Sequence, residues 1–205
     1  MTSKFNEQVT LVYFDGIPDR YDEGEAVFAA LKKMLNCTHA VFVKIDSNYD
    51  DAMMWEIGGA LDYFSTSHML KCTWDGFVLN PQLWRDAWLD YDMIGSPWPA
   101  SCGFNNRVGN SGFSLQSRKF LETARRYKNS HYTRGYPADV WLCQTMYSKF
   151  KSEGVNYAPV KEAARFGWES YIESGDNGPD KSFGFHGFGE GKSKEYHYNK
   201  LLNLC

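Results

Sequence analysis

Residues 70–81 read Leu-Lys-Cys-Thr-Trp-Asp-Gly-Phe-Val-Leu-Asn-Pro. An apolar-rich run ends on one acid and one glycine, Asp75 and Gly76, the pattern of a buried strand that delivers a carboxylate to the C-terminal edge of a sheet. Open α/β sheets bind ligands at that edge. A second strand-like piece, Tyr-Asp-Met-Ile at 91–94, is cut by Gly95, Pro97 and Pro99. A third, Gly-Asn-Ser-Gly-Phe-Ser-Leu at 109–115, is rich in small residues that let a backbone approach a ligand closely. Three strand ends bearing small or acidic residues read as a site.

Upstream, residues 9–14 form an apolar run ending at Asp15-Gly16, a first buried strand. Val27, Leu31, Met34 and Leu35 make a helical stripe over 25–35. Residues 40–45 read as a second strand ending at Asp46-Ser47, 52–64 as a helix weakened at Gly58-Gly59, and 68–73 as the third strand. This βαβαβ order predicts a parallel, Rossmann-like half. No Gly-x-Gly-x-x-Gly follows the first strand, so the dinucleotide fingerprint is absent.

Downstream, 81–90 reads as a short helix whose Trp84 and Trp88 share one face, favouring packing over ligand stacking. Helices are predicted over 117–127 and 137–153, the latter with Pro137 in its first turn and Gly154 as its stop. A short strand follows at 155–159, and a short C-terminal helix at 195–202. Beyond Glu173 the composition shifts to Gly, Asp, Asn and Ser, the signature of a mobile loop. The expected fold is a single-domain α/β chain, 1–205, with a mixed, mainly parallel sheet flanked by helices and a flexible loop and tail over 174–205.

Composition narrows the classes. A length of 205 suits one domain, and 43% hydrophobic and 17% aromatic residues can fill its core. The net charge of −3 points by itself to neither nucleic acid nor membrane. No apolar run approaches the roughly 18 residues of a membrane span, and no signal-peptide core opens the chain. Five cysteines, odd in number and without a Cys-x-x-Cys pair, predict reduced thiols in a cytoplasm. Cys72 and Cys143 lie in apolar runs and read as core packing.

The block Trp74-Asp75-Gly76-Phe77-Val78-Leu79-Asn80-Pro81, Tyr91-Asp92-Met93-Ile94-Gly95-Ser96-Pro97-Trp98 and Gly109-Asn110-Ser111-Gly112-Phe113-Ser114-Leu115 resembles a family of small glycosyltransferase-like proteins with a GT-A type fold. Asp139-Val140-Trp141, Tyr157-Ala158-Pro159 and Ser182-Phe183-Gly184-Phe185-His186-Gly187 fit it too, so the resemblance runs from about residue 8 to about residue 188. The chain departs from it at Thr73, where the family often has Gln, and at Ala138, where it often has Glu.

The resemblance implies roles. A nucleotide-sugar donor, most simply a UDP-sugar, carries a diphosphate whose charge needs a divalent metal or several cations. Oxygen ligands suit Mg²⁺ or Mn²⁺. Asp75 takes the family's metal- or ribose-binding position, and His186 returns from the C-terminal loop to complete the metal or diphosphate contact. Asp15, Asp75, Gly76, Gly109, Asn110, Ser111 and Gly112 form the donor side. Asp139 is the candidate general base, deprotonating the acceptor hydroxyl in an inverting transfer. Without the resemblance these residues have plainer readings. Asp75-Gly76 is also a turn, His186 a loop residue held by packing, and Asp139 a helix-start acid. Asp92 reads as a structural residue at the sheet edge.

Charge is uneven along the chain. Arg107, Arg118, Lys119, Arg125, Arg126, Lys128 and Arg134 face only Glu122 within 107–134, a local +6 that leaves −9 for the rest. With Tyr127, His131, Tyr132 and Tyr136 interleaved, the segment reads either as a solvated helix face or as a nucleic-acid footprint. Arg107, Arg125, Arg126, Lys128 and Arg134 are its candidate DNA contacts. The expected function is therefore transfer of a pentose such as arabinose, or a hexose, to an acceptor hydroxyl. DNA 5-hydroxymethylcytosine, as in compact bacteriophage enzymes acting in the host cytoplasm, is slightly preferred as acceptor. A saccharide or lipid-linked acceptor is the alternative. A binding module that kept the fold and lost activity is the reading from a different class, and Ala138 is the feature in its favour.

Overall fold

The computed structural model describes residues 1–45, 48–188 and 193–203. Helix α1 (Ser3–Gln8) leads into β1 (Val9–Asp15), followed by α2 (Tyr21–Leu35) and β2 (His39–Lys44). Next come α3 (Tyr49–Glu56), β3 (His68–Cys72), β4 (Gly76–Val78), β5 (Met93–Gly95) and β6 (Ser114–Ser117). The remainder is α4 (Arg118–His131), α5 (Ala138–Val140), α6 (Tyr147–Ser152), α7 (Val160–Phe166), β7 (Gly167–Trp168), β8 (Gly184–His186) and α8 (Lys194–Asn203). The main sheet has the order β2-β1-β3-β6-β5, and a second sheet has the order β4-β8-β7.

The predicted parallel half is present: β1 pairs in parallel with both β2 and β3. The other half is antiparallel, with β6 between β3 and β5. Side chains alternate across the sheet, as a period of two requires. Leu11, Tyr13, Leu70 and Cys72 join the core under α2, with Val27, Leu31 and Leu35. Val12, Phe14 and Met69 join the opposite core, with Trp55 of α3 and Phe120, Leu121 and Ala124 of α4. Full burial of each such side chain contributes about 1.5–3 kcal/mol, which holds helices on both faces.

Several boundaries differ from the expectation. The 52–64 helix stops at α3, because Gly58 takes φ +97°, and a 3₁₀ turn, Gly59–Tyr63, follows. Residues 81–90 form two 3₁₀ turns, Pro81–Leu83 and Asp86–Asp90, rather than one helix. Trp84 and Trp88 meet edge to face within the core, 5.5 Å apart, as the packing reading expects. The 137–153 helix breaks into α5, a π-turn at Trp141–Thr145, and α6. Of the 155–159 strand only a single bridge, Tyr157 to Met93, forms. Helix α8 stands where the C-terminal helix was expected, the loop before it holds β8, and 189–192 and Asp46-Ser47 lie outside the described residues. No described helix is long and apolar enough to cross a membrane. Cys72 and Cys143 are buried free thiols, each pushed up in pKa by burial.

Candidate active site

The C-terminal ends of β1 and β3 open onto a cleft of about 500 Å³. Asp15, Asp75, Asn110, Ser111, Gly112, Asp139 and His186 all line it, which brings together residues up to 171 positions apart. Gly76 and Gly109 do not line it. Gly76 pairs with His186 across β4 and β8, and Gly109 lies under the Trp98 ring, where a Cβ would meet ring carbon at 1.8 Å.

Asp15 closes β1, where its Oδ1 accepts the Ile17 N–H at 3.0 Å and Arg20 at 3.2 Å. The Arg20 guanidinium stacks over the Trp74 ring at 4.2 Å, placing one cation between the two acids at the strand ends. Asp75 sits in the tight turn from β3 to β4, with its Oδ1 accepting the Thr73 hydroxyl at 3.0 Å. The turn reading of Asp75 thus holds, and the turn sets the residue on the cleft wall. Its backbone carbonyl accepts the Gly187 N–H at 2.6 Å, which locks the returning C-terminal segment against it.

His186 is held from two sides. Nδ1 lies 3.3 Å from Glu169 Oε1, and Nε2 lies 3.8 Å from Asp75 Oδ1. Burial lowers its proton affinity, but the Glu169 hydrogen bond and the Asp75 charge outweigh it, so the His186 pKa is raised. Glu169 also accepts from the Asn110 amide, and Asn110, at φ +35°, uses its Oδ1 to accept the Gly112 N–H at 3.1 Å. One carboxylate therefore ties the 109–112 loop to the histidine. Among the described residues no three His, Cys, Asp or Glu side chains converge as a metal cage. Asp75 and His186 supply two donors, a set that fits only an ion whose other ligands come from substrate oxygens or water.

Asp139 stands in the first turn of α5, with Oδ1 accepting the Val140 N–H at 2.8 Å. Burial, then the Glu56 carboxylate, raise its pKa above the usual aspartate value, against the Val140 hydrogen bond and His186. A carboxyl poised above its ordinary range suits general-base work near neutral pH. Asp92 is structural: it accepts from Ser117 Oγ at 2.7 Å, Lys119 at 2.9 Å and the Asn156 N–H at 2.8 Å.

Sequence reasoning missed Glu56, Lys71 and Glu169. Glu56 lines the cleft and pairs with the buried Lys71 at 2.5 Å. A lone lysine inside an apolar strand was the available signal for that pair, whereas Glu169 carried none. None of Arg107, Arg125, Arg126, Lys128 and Arg134 lines the cleft. Arg107 pairs with Glu173 at 2.6 Å, Arg125 with Asp62 at 3.0 Å, Arg126 with Glu153, and Arg134 with Asp51 at 3.9 Å.

The model of a family described as "Protein of unknown function (DUF5672)" matches residues 51–186, and the chain belongs to that family. No curated protein matches the sequence. Among solved structures, the chain is similar to a glycosyltransferase involved in the glycosylation of the major capsid of PBCV-1. Identity is 11%, the TM-score is 0.55, and the match covers 96% of this chain and 98% of that one. At this identity the likeness establishes a shared mixed α/β fold.

Proposed function

We propose that this member of the DUF5672 family is a glycosyltransferase that moves a sugar from a nucleoside diphosphate to an acceptor hydroxyl. The observation that carries the reading is the convergence of Asp15, Asp75, Asn110, Ser111, Asp139 and His186 on one cleft at the sheet's C-terminal edge. The fold shared with the capsid glycosyltransferase supports it. In this reading Asp139 takes the acceptor proton as the acceptor oxygen bonds to the anomeric carbon. The bond from that carbon to the phosphate oxygen breaks, and the nucleoside diphosphate leaves, with inversion. Arg20 and a protonated His186 lie where they offset the diphosphate charge. A Mg²⁺ or Mn²⁺ ion brought in with the diphosphate would instead be held by Asp75 and by neutral His186, and would supply the counter-charge in place of the protonated imidazole.

Charge also bears on the acceptor. Four acids, Asp15, Glu56, Asp75 and Asp139, line the cleft, against Arg20 and His186. Duplex DNA would meet a mouth poor in cations, while Arg107, Arg125, Arg126 and Arg134 lie outside the cleft in ion pairs. This favours an uncharged acceptor such as a saccharide over DNA hydroxymethylcytosine. Lys128, near the end of the basic α4, is what keeps the DNA reading alive. A UDP-sugar donor with arabinose or a hexose is the first to test, on the strength of the sequence resemblance.

The test is donor turnover with Asp75→Ala. Wild type should release nucleoside diphosphate from a nucleotide sugar, and the variant should lose both turnover and any Mn²⁺-dependent binding of the diphosphate. A wild type inert towards all nucleotide sugars removes the enzyme reading and leaves a binding module.

A further inference from the structure

Lys71 has no exposed surface. The alternation along β3 turns it away from Leu70 and Cys72, towards α3. There its Nζ lies 2.5 Å from Glu56 Oε1, within 6 Å of the Phe14 and Trp55 rings at 5.9 and 5.8 Å. Glu56 ends α3 and keeps 8% of its surface exposed, facing the cleft. Its Oε2 accepts the Ser111 hydroxyl, from the same loop as Asn110 and Gly112.

Packing alone does not call for this arrangement. Removing two charges from water is costly, and well-packed apolar side chains of similar volume commonly serve stability as well or better. A buried ion pair whose carboxylate opens into a cleft instead has a chemical use there. An ionised carboxylate only accepts hydrogen bonds and offers about two lone-pair sites on each oxygen. Lys71 Nζ lies against Oε1 as an ion pair without hydrogen-bond geometry and the Ser111 hydroxyl donates to Oε2, leaving acceptor capacity on a carboxylate that lines the cleft. A diphosphate has no proton to donate and would be repelled. Sugar hydroxyls match the site.

We propose that Glu56 is a sugar-binding residue, accepting hydrogen bonds from hydroxyls of the transferred sugar, and that Lys71 is its positioning residue. The proposal rests on the glycosyltransferase reading and adds to it where the sugar, as opposed to the diphosphate, lies. It makes the donor straddle the cleft: diphosphate towards Arg20, Asp75 and His186, sugar over Glu56 and Ser111, with Asp139 on the acceptor side.

The test uses calorimetric binding of UDP, GDP, ADP and dTDP, each beside its glucose conjugate, to wild type and to K71M, E56Q and K71M/E56Q. K71M alone strands a buried carboxylate and should melt lower. The double variant removes both charges and should melt at or above wild type. Wild type should bind one conjugate more tightly than its parent diphosphate. In the double variant affinity for that conjugate should fall about 10-fold or more, the scale of one charge-assisted hydrogen bond, with the diphosphate itself unaffected. A double variant that keeps wild-type affinity for the conjugate makes the pair structural and overturns the proposal. So does a wild type that binds a diphosphate without preferring its conjugate. A wild type that binds no member of the panel overturns the glycosyltransferase reading and this proposal together.

Discussion

Gly112→Ala tests the placement of His186 by steric displacement from a neighbouring residue of the cleft wall. A Cβ on residue 112 would lie 2.0 Å from His186 Nε2 and 2.2 Å from Cδ2, where ordinary contact begins near 3.4 Å. The ring must therefore retreat by about 1.4 Å, from 2.0 Å to the 3.4 Å of ordinary contact. A shift of that size breaks the 3.3 Å contact with Glu169 and carries Nε2 out of its station 3.8 Å from Asp75. Gly112 is not in the left-handed region, so the alanine adds no backbone strain and the perturbation is steric. Misplacing a site group by about 1 Å commonly costs about 10²-fold in rate, and overpacking costs about 1–3 kcal/mol in stability. Nucleoside diphosphate release should accordingly fall about 10²-fold, and the melting temperature by roughly 2–12 °C for a chain of this length. Gly16→Ala is the stability control, since its Cβ meets nothing closer than 3.6 Å and should leave melting unchanged. A folded Gly112→Ala protein with wild-type turnover would show that His186 is not needed where it stands.

Asp139→Asn should lower turnover by about 10²-fold with donor affinity intact. Because burial and Glu56 raise the Asp139 pKa, its anion is held at a penalty above that pKa. The same variant should therefore melt higher than wild type at pH 8, and the gain should shrink as the pH is lowered through the raised pKa. His186 moves stability with pH in the same direction, by a contribution that is gained at low pH and not by a penalty at high pH. Its raised pKa means a stabilising contribution fully present below the unfolded value near 6.5 and lost as pH rises through the higher folded value. Thermal melts of Glu169→Gln should show a weaker decline across that window, and an unchanged decline would refute the assignment. For DNA, changing Arg125, Arg126 and Lys128 together to Ala should move the log–log salt slope of duplex binding by less than one unit. Flattening by about three units, near 0.9 per phosphate contact, would restore DNA as acceptor.

The main sheet was legible where apolar runs are continuous. β1 and β3 were read to within a residue and β2 one residue late at each end; β1, buried along its whole length, spells itself out as Val, Leu, Tyr and Phe, while β2 and β3 show shorter apolar stretches between polar residues. The second sheet was not legible, since β4, β7 and β8 are two or three residues long and carry no period to detect. The 137–153 segment reads as one helix because a π-turn differs from an α-turn only in which carbonyl each N–H meets. At the site, the cleft residues singled out in advance stand at strand ends, in a small-residue loop or, for Asp139, in the first turn of α5. Glu169 follows two-residue β7 and gains its importance from partners 17 and 59 positions away. The cationic segment looks less one-sided in three dimensions for a related reason: a running sum of charge does not see Asp51, Asp62, Glu153 or Glu173 folding back onto it.

Gly76, the residue after Asp75, is registered opposite His186 by β4 and β8. Because side chains alternate along a strand, sliding β8 by one residue would turn the imidazole to the other face and bring Phe185 or Gly187 in its place. The connection between β7 and β8, residues 169–183, can vary in length while the pairing keeps its register, although Glu169 itself must stay. Within 184–186 a single insertion or deletion would separate the histidine from the acid. Relatives that differ in this region should therefore differ in the length of the connection and hardly at all in the count from Phe183 to His186.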